Sequence, residues 1–377
     1  MIPVSFSSKK TDDTGSNFWQ LSNVAEQSAS AAGYRGGQAA RFVAFGEVLL
    51  RLSPPGRELP LQSPRFDVAI GGAEANVAAS LARLGHEASL LTVLPDHALG
   101  RAALGELRRN GVDTRFARLS RDGRMGLYVL TAGAGLRASE VLYDRAGSSF
   151  TLAREVDFDW HAALDGAGWL HLSGVTPALG PASRALALAA LRQAHEHGLR
   201  VSFDCNYRAR LWDAWNGDAA GTLRECAAAA DLLFADERAL AMILGASVPA
   251  GHAAQRFAAL SAAAFAAMPR LGRIAATTRL EHSVDHHVIS GLLATRGDGV
   301  HAAREWPLTT IVDRIGSGDA FAAGLLHGLE MGLDAAAALE FGVAAACLKH
   351  SIPGDVNLVG AADVEALLAG AGFGVRR

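Results

Sequence analysis

Lysine is nearly missing from this 377-residue chain: only Lys9, Lys10 and Lys349 occur, and every other basic side chain is arginine. A Walker A phosphate loop needs a lysine directly after its glycines, and a Schiff-base enzyme needs an amine that can lose its proton in a pocket. Both chemistries are therefore confined to Lys349. A GC-rich genome that writes arginine for lysine accounts for the bias, and the exclusion holds whatever its origin. The cysteines Cys205, Cys226 and Cys347 are few, odd in number and without metal-type spacing, which suits a reducing compartment and a cytoplasmic protein. No run of about 18 apolar residues is present to span a membrane, and no signal-peptide core precedes the first strand. Thirty-five basic against thirty-eight acidic residues leave a formal charge of −3, so no overall field draws nucleic acid or an anionic membrane. An anionic substrate must be held by particular local cations.

What is present is 50% hydrophobic, ample for a large core. Residues 1–40 are rich in Ser, Ala, Gly, Gln and Asn and are expected to form a disordered extension or to follow a misplaced start. Residues 42–50 read as one buried strand. Val77, Leu81 and Leu84 then share a helical face, with Gly85 as its stop. Short apolar runs follow at 88–94, 169–173, 201–204, 232–235 and 274–277, separated by Ala/Leu-rich amphipathic stretches such as 181–197. This is the rhythm of βαβ units, and it predicts a mainly parallel sheet between two layers of helices. Residues 57–70 and 116–150 break the rhythm with alternating polar and apolar positions and glycine turns. They are expected to form antiparallel strands, a small lid over the cleft. Residues 41–377 are otherwise read as one domain.

Two glycine-bearing segments carry the chemistry. In Asp313-Arg314-Ile315-Gly316-Ser317-Gly318-Asp319, the apolar residues Phe321, Leu325 and Leu329 recur at four-residue spacing behind the glycines. Gly316, Ser317 and Gly318 therefore sit at a helix N-terminus, where unpaired amides and the positive dipole end attract an anion. A carboxylate there would repel bound phosphate, so Asp319 is read as a proton-handling group. An ordinary Asp-rich helix cap is the alternative. The earlier segment runs Gly71-Gly72-Ala73-Glu74-Ala75-Asn76, again two glycines before a helix, and Asn76 can hydrogen-bond hydroxyls. It lacks the third glycine and the downstream acid of a dinucleotide fingerprint.

Together, and in this order, the two segments resemble the paired signatures of the PfkB, or ribokinase-like, carbohydrate kinases from Arg41 onward. The resemblance implies a three-layer α/β/α sandwich with a β lid, ATP with Mg²⁺, Asp319 as catalytic base and the Gly316, Ser317 and Gly318 amides as anion hole. It also fits the missing Walker lysine, since this family holds its nucleotide without that loop. The segment Asn206-Tyr207-Arg208-Ala209-Arg210-Leu211-Trp212 and the lid residues Tyr128 and Tyr143-Asp144-Arg145 are similar to those of 2-keto-3-deoxygluconate kinases. That similarity assigns Gly71, Gly72, Asn76, Tyr128, Tyr143, Arg145 and Arg208 to the sugar acid. Asn206, Asp236, Thr278, Arg279, Gly316 and Gly318 go to the nucleotide. Arg145 and Arg208 can offer a carboxylate a bidentate fork from lid and body; a surface or interdomain ion pair is the alternative for each. Where related kinases carry Asn-x-x-Glu to support Mg²⁺ through water, this chain has Asp236 and Ala239, which leaves Asp236 or Glu237 as the substitute. Ser317 stands where alanine is commoner but keeps the amide.

The expected reaction is phosphorylation of the 6-hydroxyl of 2-keto-3-deoxy-D-gluconate. The rivals are a kinase for 2-keto-3-deoxygalactonate, fructose or ribose, an aldolase acting through Lys349, and a non-catalytic sugar-acid sensor. Gluconate and galactonate stereochemistry cannot be separated from sequence. His282, Asp285, His286 and His287 are not expected to bind one metal, because His286 and His287 point to opposite faces of a strand. Related kinases pair through their lids, so a homo-oligomer is expected, with no nucleic-acid or membrane partner.

Overall fold

The computed structural model describes residues 40–370; the expectation of a disordered extension over residues 1–40 lies, up to residue 39, outside them. A nine-stranded sheet runs Gly299–Ala302, His286–Thr295, Arg273–Ser283, Leu232–Phe234, Arg200–Asp204, Ala167–Ser173, Arg41–Phe45, Ala88–Leu91, with Trp306–Leu308 also pairing His286–Thr295. The pairs from Arg273–Ser283 through to Ala88–Leu91 are parallel, and the remaining three are antiparallel.

Alternation along the strands explains the layers. Val43, Phe45, Leu170, Leu172, Val201 and Phe203 feed one apolar core. Phe42, Ala44, Leu90, Trp169, Leu232 and Phe234 feed a second. A strand with both faces buried reads as a continuous apolar run, because successive side chains serve opposite cores. The helix Pro181–Glu196 packs into the first core through Leu186, Ala187, Ala190 and Leu191. The helices Ala73–Arg83, Ser317–Glu330 and Ala335–Lys349 contribute to the second. Cys205, Cys226 and Cys347 are all free and buried.

Residues 42–50 prove to be two strands, not one. The first ends at Phe45, and Leu49–Ser53 belongs to a separate four-stranded sheet ordered Asp67–Gly71, Leu49–Ser53, Gly126–Thr131, Glu140–Asp144. The chain leaves the main sheet at Gly46, where a Cβ would sit 2.2 Å from Oε2 of Glu74. An uninterrupted apolar run carries no sign of such a change of sheet. Within the small sheet Leu49–Ser53 pairs parallel with Gly126–Thr131. Residues 57–66 hold neither helix nor strand, and Arg118–Ser120 pairs with Val93–Pro95 in a third sheet. The run 274–277 is the start of an eleven-residue strand.

Phe203 is fully buried in the first core. Phe203→Ala is expected to lower stability by about 3–5 kcal/mol, read as a lower denaturant midpoint at unchanged slope.

Candidate active site

A cleft of about 1210 Å³ opens beyond the carboxyl ends of Arg200–Asp204 and Leu232–Phe234, and is lined there by Asp204 to Arg208 and Phe234 to Asp236. This is where parallel α/β sheets bind ligands. The small sheet contributes Leu49, Tyr128, Val141 and Tyr143 to the same cleft, and Arg145 follows its last strand.

Two helices bring the central residues together. Ala73–Arg83 starts at Gly72, whose φ of 149° and whose absent Cβ, which would fall 2.3 Å from the Glu47 carbonyl, both require glycine. Ser317–Glu330 starts at Gly316 with φ 80°, where a Cβ would lie 1.9 Å from the Asp355 carbonyl. His86, just past the end of the first helix, meets His327 of the second, Nε2 and Nδ1 lying 2.9 Å apart. Glu74 pins the first helix to the strand end: its Oε1 accepts from Ser173 N–H (2.9 Å), Ser173 Oγ (2.7 Å) and Thr176 Oγ1 (2.8 Å). Burial raises the Glu74 carboxyl above the usual range.

Asn76 Nδ2 consequently reaches Asp319 Oδ2 and donates to it at 2.7 Å. The Asn76 Oδ1 atom is buried without a hydrogen-bond partner, an acceptor held ready for a hydroxyl. Burial pushes Asp319 up to about 8, against the Asn76 hydrogen bond that lowers it, and the nearby carboxylates Asp204, Asp355 and Glu74 add to the rise. Such a carboxyl is a stronger base than an exposed aspartate. Asp204 is likewise pushed up to about 6, by burial first. Beside Asp319, the Ser317 amide is spent on the Arg314 carbonyl at 3.3 Å. That modifies the expected trio of anion-hole donors: among the described residues, the Gly316 and Gly318 amides are the ones without a recorded acceptor.

Gly72, Asn76, Tyr128, Tyr143, Arg145, Asn206, Arg208, Asp236, Arg279 and Gly316 to Asp319 all line the cleft. Three expected residues do not. Thr278 alternates with Thr277 and Arg279 along its strand, so those two line the cleft and Thr278 does not. Gly71 is buried under the site instead, where a Cβ would fall 2.0 Å from Asp355 Oδ2. Glu237 is held in a two-point pair by Arg256, at 2.6 and 2.9 Å. Asp236 caps the helix Glu237–Leu244 through one carboxylate oxygen, accepting from Ala239 N–H at 2.8 Å.

The two arginines expected at the substrate differ. Arg145 is buried and paired with Glu47 at 2.7 Å, whereas Arg208 is exposed, bonds the Tyr207 carbonyl at 3.2 Å and makes no ion pair among the described residues. Arg279 and Arg314 flank Glu281 at 3.8 and 3.3 Å, a rim with one cation in excess.

Lys349 is fully buried, does not line the cleft, and donates to the Ile352 carbonyl at 2.9 Å. That removes the Schiff-base reading. In the histidine cluster His287 is buried and His286 is not, as neighbours on opposite faces of a strand are.

Asp355 and Arg51 were not singled out as site residues. Tyr128 donates to Asp355 at 2.5 Å and Arg51 donates to it at 3.0 Å. The available signal was Arg51 itself, a charge inside the apolar run Leu49-Leu50-Arg51-Leu52, which has to find a buried partner.

A helix-borne aspartate and two open amides facing a cleft at the carboxyl end of a parallel sheet define a phosphotransferase site. Residues 39–358 match the pfkB family carbohydrate kinase profile, and the chain belongs to that family. It is 34% identical over 340 residues to a 2-dehydro-3-deoxygalactonokinase of Haloferax volcanii, covering 90% of this chain and 99% of that one. It is 28% identical to the 2-dehydro-3-deoxygluconokinase of Bacillus subtilis, over 78% and 84% of the two chains. The solved 2-dehydro-3-deoxygluconokinase of Thermotoga maritima superposes with a TM-score of 0.82 at 39% identity, covering 88% of this chain and 99% of that one. The fold is the ribokinase-like α/β sandwich. No helix among the described residues is long and apolar enough to cross a membrane.

Gly316→Ala is expected to cost about 1–2 kcal/mol for its left-handed backbone alone. By displacing the turn against Asp355 it should also lower kcat about tenfold or more, with the far-UV circular dichroism retained.

Proposed function

We propose that the chain transfers the γ-phosphoryl group of ATP to the 6-hydroxyl of 2-keto-3-deoxy-D-gluconate. The observation that carries this reading is Asp319, oriented by Asn76 at 2.7 Å beside the open amides at the start of its helix. The sugar oxygen attacks the γ-phosphorus, the bond from that phosphorus to the bridging oxygen breaks, ADP leaves, and the hydroxyl proton passes to Asp319. The Gly316 and Gly318 amides face the charge on the transferring group, where positioning and electrostatics supply most of the catalysis. Asn76 Oδ1 accepts a sugar hydroxyl, and Arg208 meets the carboxylate. Arg145 acts from its Glu47 pair as a fixed part of the wall.

The rim cations Arg279 and Arg314 suit the triphosphate. Magnesium fits a site of this kind, because it takes one or two carboxylates plus substrate phosphates and keeps its waters. Asp236, exposed in the cleft, is the residue for such an outer contact. The ion neutralises phosphate charge when bound. A second reading, 2-keto-3-deoxygalactonate as substrate, is favoured by the Haloferax relative, which matches over 99% of its length.

An ADP-release assay over acid and neutral sugars tests the substrate; preference for a neutral sugar would sink the carboxylate argument. Arg208→Ala should raise KM for the sugar acid far more than KM for ATP. Asp319→Asn should keep binding but lower kcat by about 10²–10⁴-fold, and near-normal turnover would remove the mechanism. Since the base must be ionised and burial places Asp319 at about 8, kcat/KM should climb with pH through that region; a profile flat from pH 6 to 9 contradicts it.

A further inference from the structure

Outside the reacting groups, a buried assembly of charge lies behind the anion-binding turn, and it joins the small sheet to two loops of the body. Arg51, on the small sheet, places Nη1 2.7 Å from Asp313 Oδ2 and 3.0 Å from Asp355 Oδ1. Its Nε donates to Ser53 Oγ at 2.9 Å. Asp313 ties two segments of the body together, accepting from Ile315 N–H on Oδ1 and from Gly354 N–H on Oδ2, both at 3.0 Å. The Asp355 carbonyl in turn abuts Gly316, the first residue of the anion-binding turn. Opposite Arg51 in the ladder is Tyr128, whose hydroxyl also ends on Asp355.

Two buried carboxylates that face each other repel, and burial magnifies the repulsion. Each carboxylate here belongs to one of the two segments that meet at Gly316. The cation that draws them together is not on either segment: it is on the small sheet. Lys349, close enough to interact electrostatically with both, spends its hydrogen bond on Ile352 and makes no ion pair within 4.0 Å among the described residues. Arginine suits the role, because its guanidinium stays charged when buried, and with Nε anchored on Ser53 it holds Nη1 within 3.0 Å of both carboxylates.

We propose that Arg51 is a positioning residue for phosphoryl transfer, which sets the Gly316 to Asp319 turn through Asp313 and Asp355 and so makes the anion site depend on the seating of the small sheet. The proposal rests on the kinase reading above. Arg51 does not line the catalytic cleft, so its effect is on the geometry of the turn and not on contact with sugar or nucleotide.

The test is steady-state kinetics of the full chain with ATP and 2-keto-3-deoxygluconate, comparing wild type, Arg51→Met and Arg51→Lys, with thermal unfolding in parallel. Arg51→Met is expected to lose roughly 10²-fold in kcat, the scale of a misplaced catalytic geometry. Both KM values should stay within about threefold, as for an interaction felt only in the transition state. Arg51→Lys should recover part of the kcat, since it keeps the buried charge but loses the Nε anchor on Ser53. If Arg51→Met does not fold, Arg51→Lys keeps the buried charge and reads the same split. A folded variant with wild-type kcat, or one in which only the sugar KM rises, overturns the proposal, and so does a loss of melting temperature with kcat intact. Absence of turnover in the wild type defeats the kinase reading as well, whereas an active wild type beside unimpaired Arg51 variants defeats this proposal alone.

Discussion

The hydrogen bond from Asn76 to Asp319, 2.7 Å long, joins the helices that start at Gly72 and Gly316, and the site is organised around it. A base beside an anion-binding turn has to accept a proton while its neighbourhood favours negative charge. The helix N-terminus and the open amides suit the anion, while burial and three neighbouring carboxyls keep Asp319 basic. The bond also requires that the helices approach closely. His86, just past the end of the first helix, meets His327 of the second, and the Glu74 carboxylate fixes the start of the first helix to Ser173 and Thr176.

Charge is distributed by depth. Buried arginines are committed to carboxylates, as Arg51 is to Asp313 and Asp355 and Arg145 is to Glu47. At the cleft Arg208 is exposed and makes no ion pair among the described residues. A buried ion stripped of its partner is costly, so the inner pairs hold the architecture. A net charge of −3 therefore says little about the cleft, whose local balance is set by which arginines already have partners.

Much of this was legible in the chain. The parallel sheet followed from apolar runs buried on two faces, and the place of Gly316 to Asp319 followed from the four-residue spacing behind it. What was misread has common causes. Residues 42–50 looked like one strand because apolarity does not report which sheet a strand joins. Thr278 is assigned to the nucleotide by a motif of neighbouring residues, while the strand sends Thr277 and Arg279 to the cleft face and Thr278 to the other. Glu237 lost its metal role to Arg256, a partner nineteen residues away that no local pattern advertises. Asp355 went unassigned because its importance comes from Tyr128 and Arg51, both more than two hundred residues earlier.

By itself the sequence determined the class of fold, the family and the turn that carries Asp319, in the plain sense that helix starts, glycines and hydrophobic period are local properties, governed by backbone sterics and by the alternation of faces. It also excluded a Walker loop, because lysine is almost absent. Only the tertiary structure decided that Lys349 is sealed away from the cleft, that Arg145 is already paired while Arg208 is open, and that Arg51 ties the small sheet to the anion-binding turn. Those are questions of which charges meet, and charge pairing depends on distances between segments far apart in the chain.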